Sequence, residues 1–464
     1  MTLEQTISAI RPLDEKSMTA ARNRFANIAM PLGGLGLLQD AIVQLAGILG
    51  QPVPDISRRA AVVFCADNGV VAEGVTQCGQ EVTATVAENM GRGESTVCLM
   101  AKQLGMDVFP VDIGVARPIK SEKVLQFSVR RGTANFAHEP AMTRKEALEA
   151  VEIGIKMAEM CAEKGYSLLI GGEMGIGNTT TSAAVTAALT GAEAAAVTGR
   201  GAGLSTAGLE RKIAVIEAAL ALHRPDPNDS IDVLHKVGGL DIAGLCGLYL
   251  GAAAQRIPVV LDGVISCAAA LLAVRLCPQS VHFMIAAHRS DEPASILLLD
   301  ALGKRPFLTA GMHLGEGTGA AAILTHHIEV CVRVVGHELL GLADGVLIIR
   351  AGKALIRGDE QAGRTQRHFL GRKLRRLKVT ALHGGVRVEH TADLGLQRIK
   401  VGTGVAQLLL CLAQLGLGDE VHGVGDLLGL PDASDAPADL TGAGHTLTAR
   451  LHAGSAPAWC LQSR

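Results

Sequence analysis

The sequence predicts an α/β fold with a mainly parallel sheet, and three observations carry that expectation. Short, wholly apolar runs recur along the first two thirds of the chain. Each stops at a polar or glycine residue, as AAVVFC (60–65) does at Ala66-Asp67-Asn68-Gly69. Stretches with apolar residues three and four apart lie between the runs. A continuous apolar run suits a strand covered on both faces, the usual situation in a parallel sheet. Strand–loop–helix alternation is the mark of that architecture.

Taken in order, residues 1–50 are expected to be helical. Met18–Asn27 and Leu37–Leu49 show helical spacing and are separated by the Pro31–Gly36 turn. Ala60–Cys65 is the first strand, and Val82–Met90 and Ser95–Leu104 read as helices. Met106–Ile113 is the second strand. Thr143–Lys164 is a long helix, with Thr143 as N-cap and Glu146 three residues on completing a capping box. Tyr166–Ile170 is the third strand, running into a Gly171-Gly172-Glu173 turn. Helices at Thr179–Leu189 and Lys212–His223 follow, then strands at Ile257–Leu261 and Val281–Ala286. Ligands of such sheets bind beyond the carboxyl ends of the strands. The polar groups expected there are Asp67, Asp112, Glu173, Asp262 and His288, with turn formation and helix capping as their plainer use.

Composition narrows the function classes. The 464 residues are 48% hydrophobic and 19% charged, and mean hydropathy is +0.30, which excludes a mostly disordered chain. A formal charge of −2 gives no global field toward nucleic acid or an anionic membrane. Aromatic residues are 2% of the chain, too few for a stacking platform for single strands. The 10 cysteines are dispersed without a C-x-x-C pair, as expected of small buried hydrophobes in a reducing compartment. Met1–Ala20 carries five charged side chains and no apolar core, so no secretory signal is expected and the cytoplasm is the expected location. Ile242–Ala254 is apolar but too short to span a bilayer, and Val401–Gly418 is interrupted by Gln407, Gln414 and glycines. His326-His327 is not a metal pair, because consecutive helical residues face different directions, and no metal is expected. Texture changes after about residue 335. Residues 336–464 are read as a separate tail of uncertain fold and possible poor order, with a basic run at Arg364–Lys378 read as a solvated face.

Three segments could carry chemistry. GGEMGIGNTTT (171–181) feeds a glycine-rich turn into a helix start, where backbone amides and the helix dipole favour an anion. It is neither a Walker A sequence nor a dinucleotide fingerprint. An acid inside such a loop would repel a phosphate, so Glu173 is expected to face another part of a substrate. The second is the Gly199–Gly203 glycine loop with Lys212 nearby, a suitable pairing for a phosphate monoester. The third is GMHLGEGTGA (311–320), in which small neighbours leave Glu316 open to close approach. A carboxyl in so apolar a setting suits a general base near neutral pH. His288, Arg289 and Ser290 fit ligand contacts or a helix-start cluster equally well.

Together the segments resemble the nicotinate-nucleotide–dimethylbenzimidazole phosphoribosyltransferase family from about residue 5 to about residue 330. The matching segments are MPLGGLG (30–36), CADNGV (65–70), EVTA-x-x-AENM-x-RG (81–93), VDIGV (111–115), RGTANF (131–136), GGEMGIGNTT (171–180), KVGGLDIAGLCG (236–247), LDGVIS (261–266), HRSDEP (288–293) and LGEGTGAA (314–321). The resemblance implies a phosphoribosyltransferase region over 1–335. Its fold would be a Rossmann-like, mainly parallel sheet flanked by helices, with a smaller helical domain to which residues 1–50 contribute. It also implies a homodimer. The implied activity is transfer of the 5-phosphoribosyl group from nicotinate mononucleotide to 5,6-dimethylbenzimidazole or a related azole. Nicotinate is released and α-ribazole 5′-phosphate is formed for the cobalamin lower ligand. A non-catalytic azole- or nucleotide-binding homologue is the alternative.

By the same resemblance, Glu316 matches the general base and Glu173 the second active-site acid. Gly175, Gly201 and Lys212 match phosphate-site positions. Asn178, Asp262 and Ser290 join them at the substrate site, and Pro31, Cys78, Val86 and Leu314 form the base pocket. No cofactor, nucleic acid or membrane partner is implied. The chain departs from many members at Met30-Pro31-Leu32-Gly33-Gly34, at Asn68 where a histidine is usual, and at Cys78 and Val86 where some have Ser and Gln. These departures bear on which azole is accepted more than on the reaction.

Overall fold

β1 (Arg59–Ala66) is buried at every residue, and its side chains divide between two cores by simple alternation. Ala60, Val62, Phe64 and Ala66 enter one apolar cluster, while Ala61, Val63 and Cys65 enter another. A strand points successive side chains to opposite faces, so a run with no polar residue must be covered on both sides. The structure, a computed structural model, describes residues 1–28, 30–324, 378–382 and 385–389. His326-His327, the basic run short of Lys378, and Val401–Gly418 lie outside the described residues.

In chain order the other elements of the first unit are α1 (Leu3–Ala9), α2 (Glu15–Ala26), α3 (Leu37–Leu49), α4 (Glu81–Arg92), α5 (Thr96–Leu104), β2 (Asp107–Gly114), β3 (Leu125–Gln126), α6 (Arg144–Glu163), β4 (Leu168–Met174), α7 (Asn178–Thr190), α8 (Ala194–Val197), α9 (Thr206–His223), α10 (Ser230–Val237), α11 (Leu240–Ala254), β5 (Val259–Leu261), α12 (Val264–Leu276), β6 (Met284–Ala286), α13 (Ala294–Ala301) and α14 (Thr318–Ile323). Met1–Glu338 and Leu339–Arg464 form two units. In the second, β7 (Lys378–Leu382) and β8 (Gly385–Glu389) pair antiparallel.

The first unit carries a six-stranded sheet in the order β3-β2-β1-β4-β5-β6, with every neighbouring pair parallel. The chain moves outward from β1 through β2 to β3, then returns to the other side of β1 and moves outward again. Where the direction reverses, between β1 and β4, the connections leave on opposite faces and open a crevice at the carboxyl ends.

One face is covered by α6 and α11. The apolar stretch at Ile242–Ala254 is the body of α11, which is buried over nearly its whole length because the sheet lies on one side and α6 on the other. The two helices touch backbone to backbone. A Cβ on Gly247 would lie 1.8 Å from the Val151 carbonyl oxygen, and one on Gly154 would lie 2.0 Å from that of Gly244. α6 opens with the expected capping box, Glu146 N donating to Thr143 Oγ1 and Thr143 N to Glu146 Oε2.

The other face packs against α3, α4, α5 and α14. α2 and α3 therefore complete the second core, while α1 packs on the first, against α6 and α11. Arg256 fastens the N-terminal helices, donating to the carbonyls of Pro12 (3.0 Å), Gly47 (2.6 Å) and Ile48 (3.0 Å). Gln44 on α3 donates to the carbonyls of His282 and Met284 beside β6. No described helix is long and apolar enough to cross a membrane.

Among the boundaries that differ from the sequence reading, three stand out. β4 does not stop at Ile170, and Gly171, Gly172 and Glu173 are paired opposite Val62, Val63 and Phe64 of β1. These glycines are strand residues because neighbours fill the space a side chain would take, Tyr249 over Gly171 and the Glu316 backbone over Gly172. β6 is only Met284–Ala286, preceded by a 3₁₀ turn at Pro278–Phe283 in which the proline removes a ladder donor. α9 begins at Thr206, capped by Ser205, so Lys212 sits in its second turn and not at its start.

Candidate active site

The polar residues at the carboxyl ends of the strands divide into two groups. Asp67 and Asp112 hold loops. Asp67 Oδ2 accepts from Ala116 N (2.8 Å), and Asp112 accepts from Val115 N (2.8 Å) and Arg131 (3.3 Å). Asn68 is also spent internally, accepting from Thr181 Oγ1 (3.0 Å) and donating to the Ile176 carbonyl (3.4 Å). The second group, at the ends of β4 and β5, gathers around two loops.

Glu173 is the penultimate residue of β4 and is buried. Its carboxylate accepts from the amide of Asn178, the first residue of α7. Burial pushes its carboxyl well above the usual range, and the charges of Asp241 and Asp262 push the same way. The Asn178 amide also donates to Asp241 Oδ2 at 3.0 Å. Asp241 is fully buried in the first turn of α11, where Ile242 N donates to Oδ1 at 3.0 Å. Burial raises its carboxyl to about 6.

Sequence reasoning does not single out Asp241, although it does single out the surrounding segment. The available signal is an acid immediately after Gly238-Gly239 at the head of an otherwise apolar helix. Such a carboxyl must be buried and must find donors.

Glu316 is brought beside Glu173 by backbone contacts. Its N–H donates to the Glu173 carbonyl at 3.2 Å. Gly172 and Gly315 permit the approach. A Cβ on Gly315 would stand 2.6 Å from Glu173 Oε1, and one on Gly172 would stand 2.6 Å from the Glu316 carbonyl oxygen. Glu316 itself has φ +61°, a left-handed conformation uncommon outside glycine. It precedes α14 and is not part of that helix. One carboxylate oxygen, Oε2, accepts from Val97 N at the head of α5, at 3.4 Å. Burial raises its carboxyl, while the Val97 amide and the neighbouring Ser95 hydroxyl pull it back down.

Asp262 follows β5 and spends both oxygens on the start of α14. Oδ1 accepts from Gly319 N (2.7 Å) and Ala320 N (3.1 Å), and Oδ2 from Gly317 N (3.1 Å). Burial still raises its carboxyl to about 6. His288 after β6 places Nδ1 3.8 Å from Asp262 Oδ1, too far for a hydrogen bond, and burial lowers its imidazole.

The glycine loop at 199–203 faces α7. Lys212 Nζ is wholly buried and donates to Thr179 Oγ1 (2.9 Å) and the Gly199 carbonyl (3.0 Å), both uncharged. Burial lowers this ammonium to about 8, against the pull of the Glu292 charge. A desolvated lysine whose bonded partners are neutral is suited to an anion. Gly201 N donates to Glu292 Oε1 (2.8 Å). Gly175 lies under Ala66 and Asp241, where a Cβ would meet the Ala66 carbonyl oxygen at 2.4 Å. Ser290 accepts from Glu292 N and ties the segment before α13.

The four residues expected to form a base pocket are more dispersed. Val86 on α4 leans on the second core together with Met30, Leu35 and Met174. Pro31 and Cys78 are exposed, and Leu314 is 55% exposed two residues before Glu316. Among the described residues no cluster of three or more His, Cys, Asp and Glu could hold a metal ion.

A family model described as phosphoribosyltransferase matches residues 10–337. The chain belongs to this family. It is 48% identical over 329 residues to the nicotinate-nucleotide–dimethylbenzimidazole phosphoribosyltransferase of Acetivibrio thermocellus, covering 71% of this chain and 93% of the relative. Against the protein of the same name from Chloroflexus aggregans it is 48% identical over 324 residues, with 70% and 92% covered. The crystal structure of CobT from Thermus thermophilus superposes with a TM-score of 0.66 at 38% identity, covering 69% of this chain and 96% of that one. The phosphoribosyltransferase match ends one residue before the first unit does.

Proposed function

We propose that this phosphoribosyltransferase moves the 5-phosphoribosyl group of nicotinate mononucleotide onto 5,6-dimethylbenzimidazole or a related azole, releasing nicotinate and forming α-ribazole 5′-phosphate for the cobalamin lower ligand. The relatives of that name, matched over nine tenths of their length, support the substrates. The observation that carries the site is the convergence of Glu316 and Glu173 at the end of β4, with Lys212 and the Gly199–Gly203 loop at the start of α7.

The chemistry needs few groups. The ring nitrogen of the donor is cationic, so the C1′–N bond breaks toward nicotinate and needs no proton. The incoming azole nitrogen forms the new bond to C1′, and its N–H proton passes to a base. Glu316 is that base in this reading: it is half-open, has one oxygen bonded to Val97, and burial raises its basicity. Glu173 faces the ribose, where the oxygens of the buried carboxyls stabilise the positive charge that develops at C1′. Attack on the face opposite nicotinate turns a β donor into an α product. Lys212 and the loops at Gly175 and Gly201 take the 5′-phosphate, with Asn178 fixing Glu173 and Ser290 closing the loop after β6. Asp262 serves the site by holding the amides of α14. Bringing both rings to one sugar supplies much of the rate through proximity.

Pro31, Cys78, Val86 and Leu314 line the azole side in this reading. Cys78 and Val86, less polar than the Ser and Gln of some other members, favour an apolar base. The phosphoribosyltransferase region is taken as 1–335, acting as a homodimer in the cytoplasm. The test is direct. The protein is incubated with nicotinate mononucleotide and dimethylbenzimidazole, and nicotinate release is followed by chromatography. Release that depends on the azole is expected. Folded protein that binds both compounds and releases nothing would mark it as a binding homologue.

A further inference from the structure

Helix α5 begins beside the active site, and its first turn is unusual. Ser95 is its N-cap residue, with extended backbone, yet its hydroxyl makes no bond to the helix it caps. An N-cap serine ordinarily spends its oxygen on the N2 or N3 amide. Here the N2 amide, Val97 N, donates elsewhere, to Glu316 Oε2 219 residues away. Ser95 Oγ is buried and makes no hydrogen bond of ordinary length, yet its hydroxyl stands close enough to the same carboxylate to favour its charge. A buried hydroxyl without a partner is costly, and it calls for an explanation in the chemistry of its surroundings.

We propose that Ser95, with the amino terminus of α5, is a positioning residue for Glu316: it leaves its own helix uncapped so that a hydroxyl and an amide hold the Glu316 side chain in its anionic, proton-accepting form. The inference rests on the reading of Glu316 as the base. The helix terminus that would normally be satisfied by its cap is satisfied by the base instead, so the helix dipole also favours a negative charge there.

The surroundings otherwise oppose that charge. The ionisable groups that feel Glu316 are Glu173 on β4, Asp262 after β5 and the buried Cys65 thiol on β1. Within α5 the only charged side chain is Lys102, in the last turn, and α14 carries none. Each neighbouring carboxylate disfavours ionisation of Glu316, and burial adds to this. The donors at the head of α5 are the counterweight. A proton lost from the azole moves to Oε1 or Oε2, and the Ser95 hydroxyl, free to rotate, can then accept from the newly protonated acid as readily as it donated to the anion.

The test is the pH dependence of kcat at saturating substrates, which reports groups in the bound complex. The variant is read against the wild type, so that titration of the substrates cancels. Ser95→Ala should move the acid limb upward by about one to two pH units, the scale of one lost hydrogen bond to a charge. Ser95→Thr keeps the hydroxyl and should return the limb to its wild-type position. Ser95→Gly removes the hydroxyl at little cost to the cap and serves if the alanine variant does not fold. A uniform loss of rate with an unmoved limb in Ser95→Ala or Ser95→Gly would overturn the proposal. Glu316→Gln is run in parallel. If it keeps wild-type turnover, the base assignment itself fails. If it is inactive while the Ser95 variants leave the limb in place, only the role of Ser95 fails.

Discussion

The Glu316 amide donates to the Glu173 carbonyl oxygen across 3.2 Å, so two acids 143 residues apart in sequence are joined through their backbones. Their side chains are therefore held at a fixed offset. Neither can be repositioned without moving the end of β4 or the start of α14.

Replacing Glu316 by glutamine removes the proton acceptor and keeps size and hydrogen bonding. A kcat at least about a hundredfold lower is expected, with KM for nicotinate mononucleotide little changed, since a positioned base contributes roughly that much. Steady-state kinetics on both substrates checks this, and unaltered turnover would remove Glu316 from the role.

Lys212→Met keeps the buried volume and removes the ammonium. Charge-assisted hydrogen bonds to phosphate contribute about 1.5–3 kcal/mol, so kcat/KM for the nucleotide should fall roughly ten- to a hundredfold. Nicotinate riboside, which lacks the phosphate, should react equally poorly with both proteins. An equal loss on both donors would place the effect outside the phosphate site.

The buried carboxyls make stability depend on pH in a definite direction. Asp241 and Asp262 are raised by burial to about 6 from 3.8. The folded chain thus binds protons that the unfolded chain has released. Their contribution to stability is fully present below the unfolded value and is lost as pH rises through about 6. Asp241→Asn cannot titrate. Its stability relative to wild type should therefore climb between about pH 4 and pH 7 when followed by denaturant midpoints. A difference that stays flat with pH would show that Asp241 is not protonated in the folded state.

Gly247→Ala tests the α6–α11 contact. The added methyl would lie 1.8 Å from the Val151 carbonyl, which backbone cannot yield without separating the helices. A loss of about 3 kcal/mol or more is expected by denaturant unfolding. A loss under about 1 kcal/mol would mean that the helices separate easily.

Much of the sheet is legible in the sequence because parallel strands buried on both faces leave an uninterrupted apolar run, as at Ala60–Cys65. Glu173 and Glu316 stand out through their glycine neighbours, and the structure brings them together. Other features need the third dimension. Gly171 and Gly172 read as a turn because glycine weakens a strand, and only Tyr249 and the Glu316 backbone explain why nothing larger fits. Asp241 is hidden by the apolar helix around it, and the use of Asp262 as a clamp on α14 depends on amides 55 to 58 residues away. Local sequence does not encode such distances. The base-pocket residues rest on resemblance alone, and no periodicity in the sequence could have placed Pro31 and Cys78 at the exposed surface.

The left-handed backbone at Glu316 also bears on how this protein can be engineered. Glycine would be the more comfortable occupant of that torsion angle. Any screen that selects only for heat tolerance should therefore enrich glycine at 316, yielding hardier proteins that no longer make product. The residue that does the work is the one a stabilising redesign would discard first.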